Sequence, residues 1–207
     1  KGLLELRRQC RDQSFDVLLH MQVALRASVA SLMIPATHKI GFDRFRAKEG
    51  QWLFTNDQIA PQHNPHVLDG FMGFAQLLGC EIDKPEWHMP LKDEDTLWAS
   101  EQFADGKPIA TICPAASKAE RNWSPEGYAE VAQNLVHKGF TVAICGGPTP
   151  LERELSDAII NKCEVELLSL VGKTSLKQLL AVLKLSHLVI APDTGPAHMA
   201  VTVGTPV

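Results

Sequence analysis

The chain has 207 residues, of which 45% are hydrophobic and 21% charged, and its net charge is −4. These values fit a globular protein of one large or two small domains, and they exclude a chain drawn to nucleic acid by overall charge. The longest apolar stretch, Val23 to Ile34, is interrupted by Arg26, Ser28 and Ser31, so it falls short of the roughly 20 residues a membrane-spanning helix needs. No targeting segment is read.

In chain order, Leu3–Arg11 reads as a helix, Phe15–Leu19 as a strand, Val23–Ile34 as a second helix and Lys39–Phe42 as a further strand. Arg44–Pro65 reads as a long loop with a short element near Trp52–Phe54. Leu68–Leu78 is a helix stopped by Gly79. Ile82–Lys107 carries Pro85, Pro90 and the acidic run Asp93-Glu94-Asp95, and is expected to be a solvated connection between two domains, 1–105 and 106–207.

From Ile109 the alternation is regular. Ile109–Cys113 is a strand, and Ser124 caps a helix that has Pro125 at its first position and Gly139 beyond its end. Phe140–Cys145 is the next strand, followed by Gly146-Gly147-Pro148 and a helix to about Lys162. Leu167–Leu170 is a third strand. Thr174 or Ser175 then caps a helix with Leu176, Leu179, Leu180 and Leu183 on one face, and Leu188–Ala191 is the fourth strand. Four strand–helix units imply a parallel sheet with right-handed crossovers, a doubly wound α/β domain whose ligand lies beyond the carboxyl ends of the strands. Lys1 opens directly into a helical pattern and Gly204-Thr205-Pro206 reads as a turn about to feed another strand, so both ends read as cut.

Cys10, Cys80, Cys113, Cys145 and Cys163 show no Cys-x-x-Cys spacing and are expected to be reduced thiols of a cytosolic protein. His63 and His66 have no third ligand at a useful spacing, so no metal site is expected. Asp193-Thr194-Gly195 follows the last strand and starts a short helix with His198 in its first turn. A helix start offers free N–H groups and a positive dipole end, which suit a phosphate. The loop from Pro114 to Trp123 carries Ser117, Lys118 and Arg121, which read either as a solvated basic loop or as a phosphate contact. Trp123, ahead of the Ser124 cap, reads as a hydrophobic staple. Gly146-Gly147-Pro148 is open to a tight-turn reading. It is not a dinucleotide fingerprint, and Gly172-Lys173-Thr174 lacks the upstream glycine of a P-loop. Arg44, Arg46 and Lys48 place three positive charges within five residues, as a solvated surface cluster or as a contact for an anion.

The order Pro-Ala-Ala-Ser…Arg-Asn-Trp-Ser-Pro-Glu, Gly-Gly-Pro, Gly-Lys-Thr-Ser-Leu and Asp-Thr-Gly-Pro-x-His resembles glycosyltransferase family nine, the lipopolysaccharide heptosyltransferases. Phe15–Gln22 and Gly41-Phe42-Asp43 resemble that family's N-terminal domain. The resemblance implies two Rossmann-like domains of the B-type glycosyltransferase fold, both cut short in this chain: an N-terminal acceptor domain and a C-terminal nucleotide-sugar domain. It implies inverting transfer of heptose from ADP-heptose to the Kdo/heptose inner core of lipopolysaccharide, with neither metal nor cofactor. The acceptor would be of lipid A–Kdo type, met at the cytoplasmic face of the inner membrane. Onto this sequence it carries donor contacts at Ser117, Arg121, Thr174, Ser175, Asp193, Thr194, Gly195 and His198. The family's acidic ribose ligand is replaced by Pro150, with Glu152 nearby. Lys48, joined by Arg44 and Arg46, is placed against the acceptor, and Gly70 stands where the family pattern has arginine. The family's glycine-rich loop with its general base would precede Lys1, so no catalytic residue is assigned. Another sugar-nucleotide enzyme of the same fold, such as an epimerase, and a non-catalytic nucleotide-sugar-binding fragment are the competing expectations.

Overall fold

The computed structural model describes residues 2–63, 66–81 and 85–207. Lys1, residues 64–65 between the two histidines, and residues 82–84 at the head of the expected connection lie outside the described residues. The chain divides into two compact units, Lys1–Pro85 and Glu86–Val207.

The first unit contains α1 (Gly2–Cys10), β1 (Phe15–Leu19), α2 (Leu25–Ser31), β2 (Ala36–Gly41), a 3₁₀ turn at Gln51–Leu53, β3 (Asp57–Gln58) and α3 (Val67–Leu77). Its three strands are parallel in the order β1-β2-β3, with Phe15 opposite Ala36 and Ile40 opposite Asp57. The core is Ile40, Phe42, Ala47, Ile59 and Phe74, and Phe42 meets Phe74 edge-on at 5.0 Å.

Helix α2 is shorter than its apolar pattern suggested. Its cap position is Ala24, which has no side-chain acceptor, and the carboxylate of Glu49 takes the Leu25 N–H instead. At the other end Pro35 disfavours helical backbone at Ile34. Helix α3 is capped reciprocally: Leu68 N–H donates to His66 Nδ1 at 3.2 Å and His66 N–H donates to Asp69 Oδ2 at 2.8 Å. It ends where Gly79 takes φ +83° and Cys80 N–H returns to the Ala75 carbonyl.

The second unit contains α4 (Asp93–Glu101), β4 (Ile109–Ile112), α5 (Pro125–His137), β5 (Thr141–Ile144), α6 (Pro150–Ile160), β6 (Leu168–Ser169), α7 (Leu176–Leu185), β7 (Leu188–Ile190) and α8 (Gly195–Thr202). The sheet is parallel in the order β6-β5-β4-β7. Alternate residues of β4 enter opposite cores. Ile109 and Cys113 lie with Ala99 of α4, Val182 and Leu183 of α7 and Ala200 of α8; Ala110 and Ile112 lie with Tyr128, Ala129 and Ala132 of α5 and Ile159 of α6. Helices therefore cover both faces, as parallel strands require.

Two expectations are corrected. The stretch before Ile109 is not simply a connection: Asp93–Glu101 is helical, its acidic residues fill the first turn where the dipole favours them, and Ala99 and Phe103 are buried in the second unit. The boundary between compact units accordingly falls at Pro85/Glu86 rather than 105/106. Leu176, read on one face with Leu179, Leu180 and Leu183, does not share the burial of Leu180 and Leu183: it is 71% exposed, because that first turn borders a cavity rather than the core.

Candidate functional site

In the second unit the strand order turns back at β4: β5 and β6 extend the sheet to one side and β7 returns to the other. Ligands of such sheets bind where that reversal opens a crevice at the carboxyl ends. A cavity of about 190 Å³ lies there, lined by Cys113 and Ala115 after β4, Cys145, Gly146 and Gly147 after β5, Glu152 on α6, Thr174 to Leu176 and Leu179 at the start of α7, and Pro196 on α8.

Each wall is held by local chemistry. Thr149 caps α6 by accepting the Glu152 N–H, and Glu152 answers by accepting the Thr149 hydroxyl on one oxygen and the Gly147 N–H, at 2.7 Å, on the other. A Cβ at Gly147 would lie 2.8 Å from Glu152 Oε2, so the glycine leaves the carboxylate its place. Gly172, at φ +68°, donates its N–H to the Gly146 carbonyl at 2.8 Å. Ser175, not Thr174, is the cap of α7: its hydroxyl accepts the Gln178 N–H and Gln178 Oε1 accepts the Ser175 N–H. Cys113 and Cys145 sit on the floor, both buried. The Cys145 thiol beside it, together with burial, pushes the Cys113 thiol well above its usual range, so Cys113 presents neutral sulfur to the cavity.

Of the expected donor residues, Glu152, Thr174 and Ser175 line this one cavity. Thr194 is the cap position of α8 and directs its hydroxyl to the Pro192 carbonyl rather than to the helix. Asp193 and His198 meet at 3.2 Å in the open. A Cβ at Gly195 would meet nothing within 4 Å, so no packing demands glycine there. Ser117 and Arg121 are exposed on the loop after β4 and do not line the cavity. That loop is pinned by Ala116 N–H donating to Asn122 Oδ1 at 2.7 Å and by the Tyr128 hydroxyl donating to the Pro114 carbonyl. Trp123 does act as the staple of α5, 5.2 Å from Tyr128 and packed over Gly127.

The first unit carries the cationic loop. Asp43, 2% exposed, accepts the N–H groups of Phe45 and Arg46 and turns the chain. Gln51, fully buried, accepts the Phe42 N–H and donates to the His20 and Gln22 carbonyls, tying the loops after β1 and β2 together. Arg46 and Lys48 line a cavity of about 600 Å³ with Asp43, Phe45, Pro61, Gln62 and His63. Arg44 is not with them; its guanidinium stacks 3.3 Å from the Trp52 ring centroid. Asp43, Gln62 and His63 were not singled out for this cavity from sequence, since each is contributed by a segment without periodicity. His66, weighed from sequence as a metal ligand, is the α3 cap. Among the described residues no cluster of three or more His, Cys, Asp and Glu side chains is placed to hold a metal.

The model of glycosyltransferase family 9 (heptosyltransferase) matches residues 3–207. The chain belongs to this family. It is 46% identical, over its full length, to 60% of a lipopolysaccharide core heptosyltransferase, OpsX, of Haemophilus influenzae. A family 9 glycosyl transferase structure from Veillonella parvula superposes on 99% of the chain with TM-score 0.76 at 22% identity, using 60% of that structure. The Escherichia coli heptosyltransferase WaaC, solved with ADP, does so with TM-score 0.73 at 19% identity, using 63% of its length. The fold is thus the B-type glycosyltransferase fold expected of the family, and the chain spans about three fifths of the relatives it matches.

Proposed function

We propose that this chain forms part of an inverting heptosyltransferase that moves heptose from ADP-heptose to the Kdo/heptose inner core of lipopolysaccharide. An acceptor hydroxyl would attack the anomeric carbon, the bond from that carbon to the diphosphate oxygen would break, and ADP would leave. The observation that carries this reading is the family match over residues 3–207 together with a cavity at the carboxyl ends of β4 and β5, lined by Glu152, Thr174 and Ser175. Glu152 supplies acceptor oxygens for ligand hydroxyls, and Ser175 marks a helix start whose N–H groups suit a phosphate. In this reading Asp193, Thr194, Gly195 and His198, which flank the lining residue Pro196, join the donor site, with Ser117 and Arg121 on the loop after β4 serving the diphosphate. ADP bound to the Escherichia coli relative supports the nucleotide class.

In this reading the departing diphosphate is stabilised by helix-end N–H groups and by cationic side chains, without a divalent metal. The acceptor is an anionic lipid A–Kdo type molecule met by Lys48 and Arg46 at the cytoplasmic face of the inner membrane. No described helix is long and apolar enough to cross that membrane.

Calorimetry of the full-length protein with ADP-heptose, ADP-mannose, UDP-GlcNAc and GDP-mannose tests the donor. Preference for ADP-heptose is expected, and equal or better binding of a uridine donor would replace the reading with another enzyme of the fold. Turnover that is unchanged in EDTA is expected of the metal-free route, whereas loss restored by Mg²⁺ would refute it.

A further inference from the structure

Helix α3 carries glycine at positions 70 and 73, one turn apart on its buried side. Glycine inside a helix is about 1 kcal/mol worse than alanine, and neither position has a positive φ that would demand it. The reason lies in what fills the space. A Cβ on Gly70 would fall 1.2 Å from Arg46 Nη1 and 2.5 Å from Arg46 Cζ. The guanidinium thus occupies the volume a side chain at 70 would claim. There it hydrogen-bonds the His66 carbonyl at 3.4 Å and stands 5.6 Å from the Phe42 ring centroid. One turn on, a Cβ at Gly73 would lie 3.2 Å from Gln62 Nε2, which donates to the Asp69 carbonyl at 2.9 Å. Both seated side chains line the 600 Å³ cavity. Gln62 Oε1 is buried there without a hydrogen-bond partner among the described residues, an acceptor that a ligand hydroxyl would satisfy.

We propose that Gly70 is a positioning residue: its missing side chain is the seat that fixes the Arg46 guanidinium at the cavity wall, where it meets an anionic group of the acceptor. The positive charge of the cavity is therefore aimed by a residue that carries none. The ligand half of this inference rests on the acceptor reading above; the seat does not.

The test uses Gly70→Ala, Arg46→Ala and the double variant in the full-length enzyme, with Kdo–lipid A as acceptor. Gly70→Ala keeps every charge and displaces only the end of a flexible side chain. It should nevertheless raise the acceptor KM about tenfold, as Arg46→Ala does, the loss expected for one charged hydrogen bond. Donor KM and kcat should stay within about twofold, and the double variant should be no worse than either single. Thermal unfolding supplies the second readout: Gly70→Ala should raise Tm more in the Arg46→Ala background than in the wild type, since only there is the helix-propensity gain free of a displaced partner. Equal Tm gains in both backgrounds, or an unchanged acceptor KM for Gly70→Ala when Arg46→Ala raises it, would overturn the seat. Coupled Tm values with an acceptor KM indifferent to Arg46→Ala would keep the seat and remove the acceptor reading.

Discussion

Arg121 ends the short turn Ala119–Arg121 on a loop whose backbone is clasped by Asn122. Its guanidinium is solvated in the free protein, so its contribution is made only when an anion arrives. Replacing it by alanine should leave stability unchanged and weaken ADP binding about 10- to 100-fold, the range for one charged hydrogen bond; calorimetry with ADP reads this directly. His20 is the opposite kind of residue. It is buried, its Nε2 lies 3.0 Å from Ser28 Oγ, and burial first, then the Lys39 charge, lowers its pKa from 6.5. The unfolded chain therefore binds the proton more readily than the folded one. The associated stability is fully present above about pH 6.5 and is lost as the pH falls below that value and through the depressed folded pKa. Urea midpoints measured across this range should slope for the wild type and flatten for His20→Asn.

At the scale of elements, the start of α7 is both a cap and a cavity wall. Ser175→Ala removes a reciprocal cap and should cost about 1 kcal/mol of stability, read by denaturant unfolding. Thr174→Ala, which breaks no cap, should leave unfolding unchanged. How far these elements could be read from sequence follows from where their determinants lie. Ser124, Pro125 and Gly139 bracket α5 with local chemistry, and the bracket holds: Ser124 accepts the Gly127 N–H and Gly139 takes φ +90°. Thr174 and Ser175 competed as caps, and the matching Gln178 three residues beyond Ser175 was available to decide it. Helix α4 was missed because its pattern is barely amphipathic and its burial comes from α7, about 80 residues away. The start of α2 was misplaced for a similar reason, its cap being the distant Glu49. The Glu152, Thr174 and Ser175 wall of the second unit's cavity was legible because strand-end loops and helix starts are local features. The cavity of the first unit was only partly so, since Gln62, His63 and Gly70 come together with Arg46 through tertiary packing alone.

At the scale of the whole chain, the two kinds of chemistry sit in separate units: Arg46 and Lys48 in Lys1–Pro85, Glu152 and Ser175 in Glu86–Val207. Lys48→Ala in the full-length enzyme should therefore raise the acceptor KM and leave the donor KM almost unchanged, with the acceptor effect shrinking as salt screens the charge. Steady-state kinetics at two ionic strengths distinguishes this from a folding defect, which would harm both substrates alike.

The free thiols form a graded series: Cys80 exposed, Cys10 and Cys163 half-buried, Cys113 and Cys145 buried against the cavity of the second unit. That gradation makes the chain its own labelling experiment. A maleimide should tag Cys80 first with no cysteine removed, giving a fluorophore handle just beyond the end of α3. Cys113 and Cys145 should react only when the carboxyl end of the central strands β4 and β5 opens, so their slow labelling becomes a clock for that opening. Saturating ADP should slow the clock at those two sulfurs while Cys80 keeps its pace.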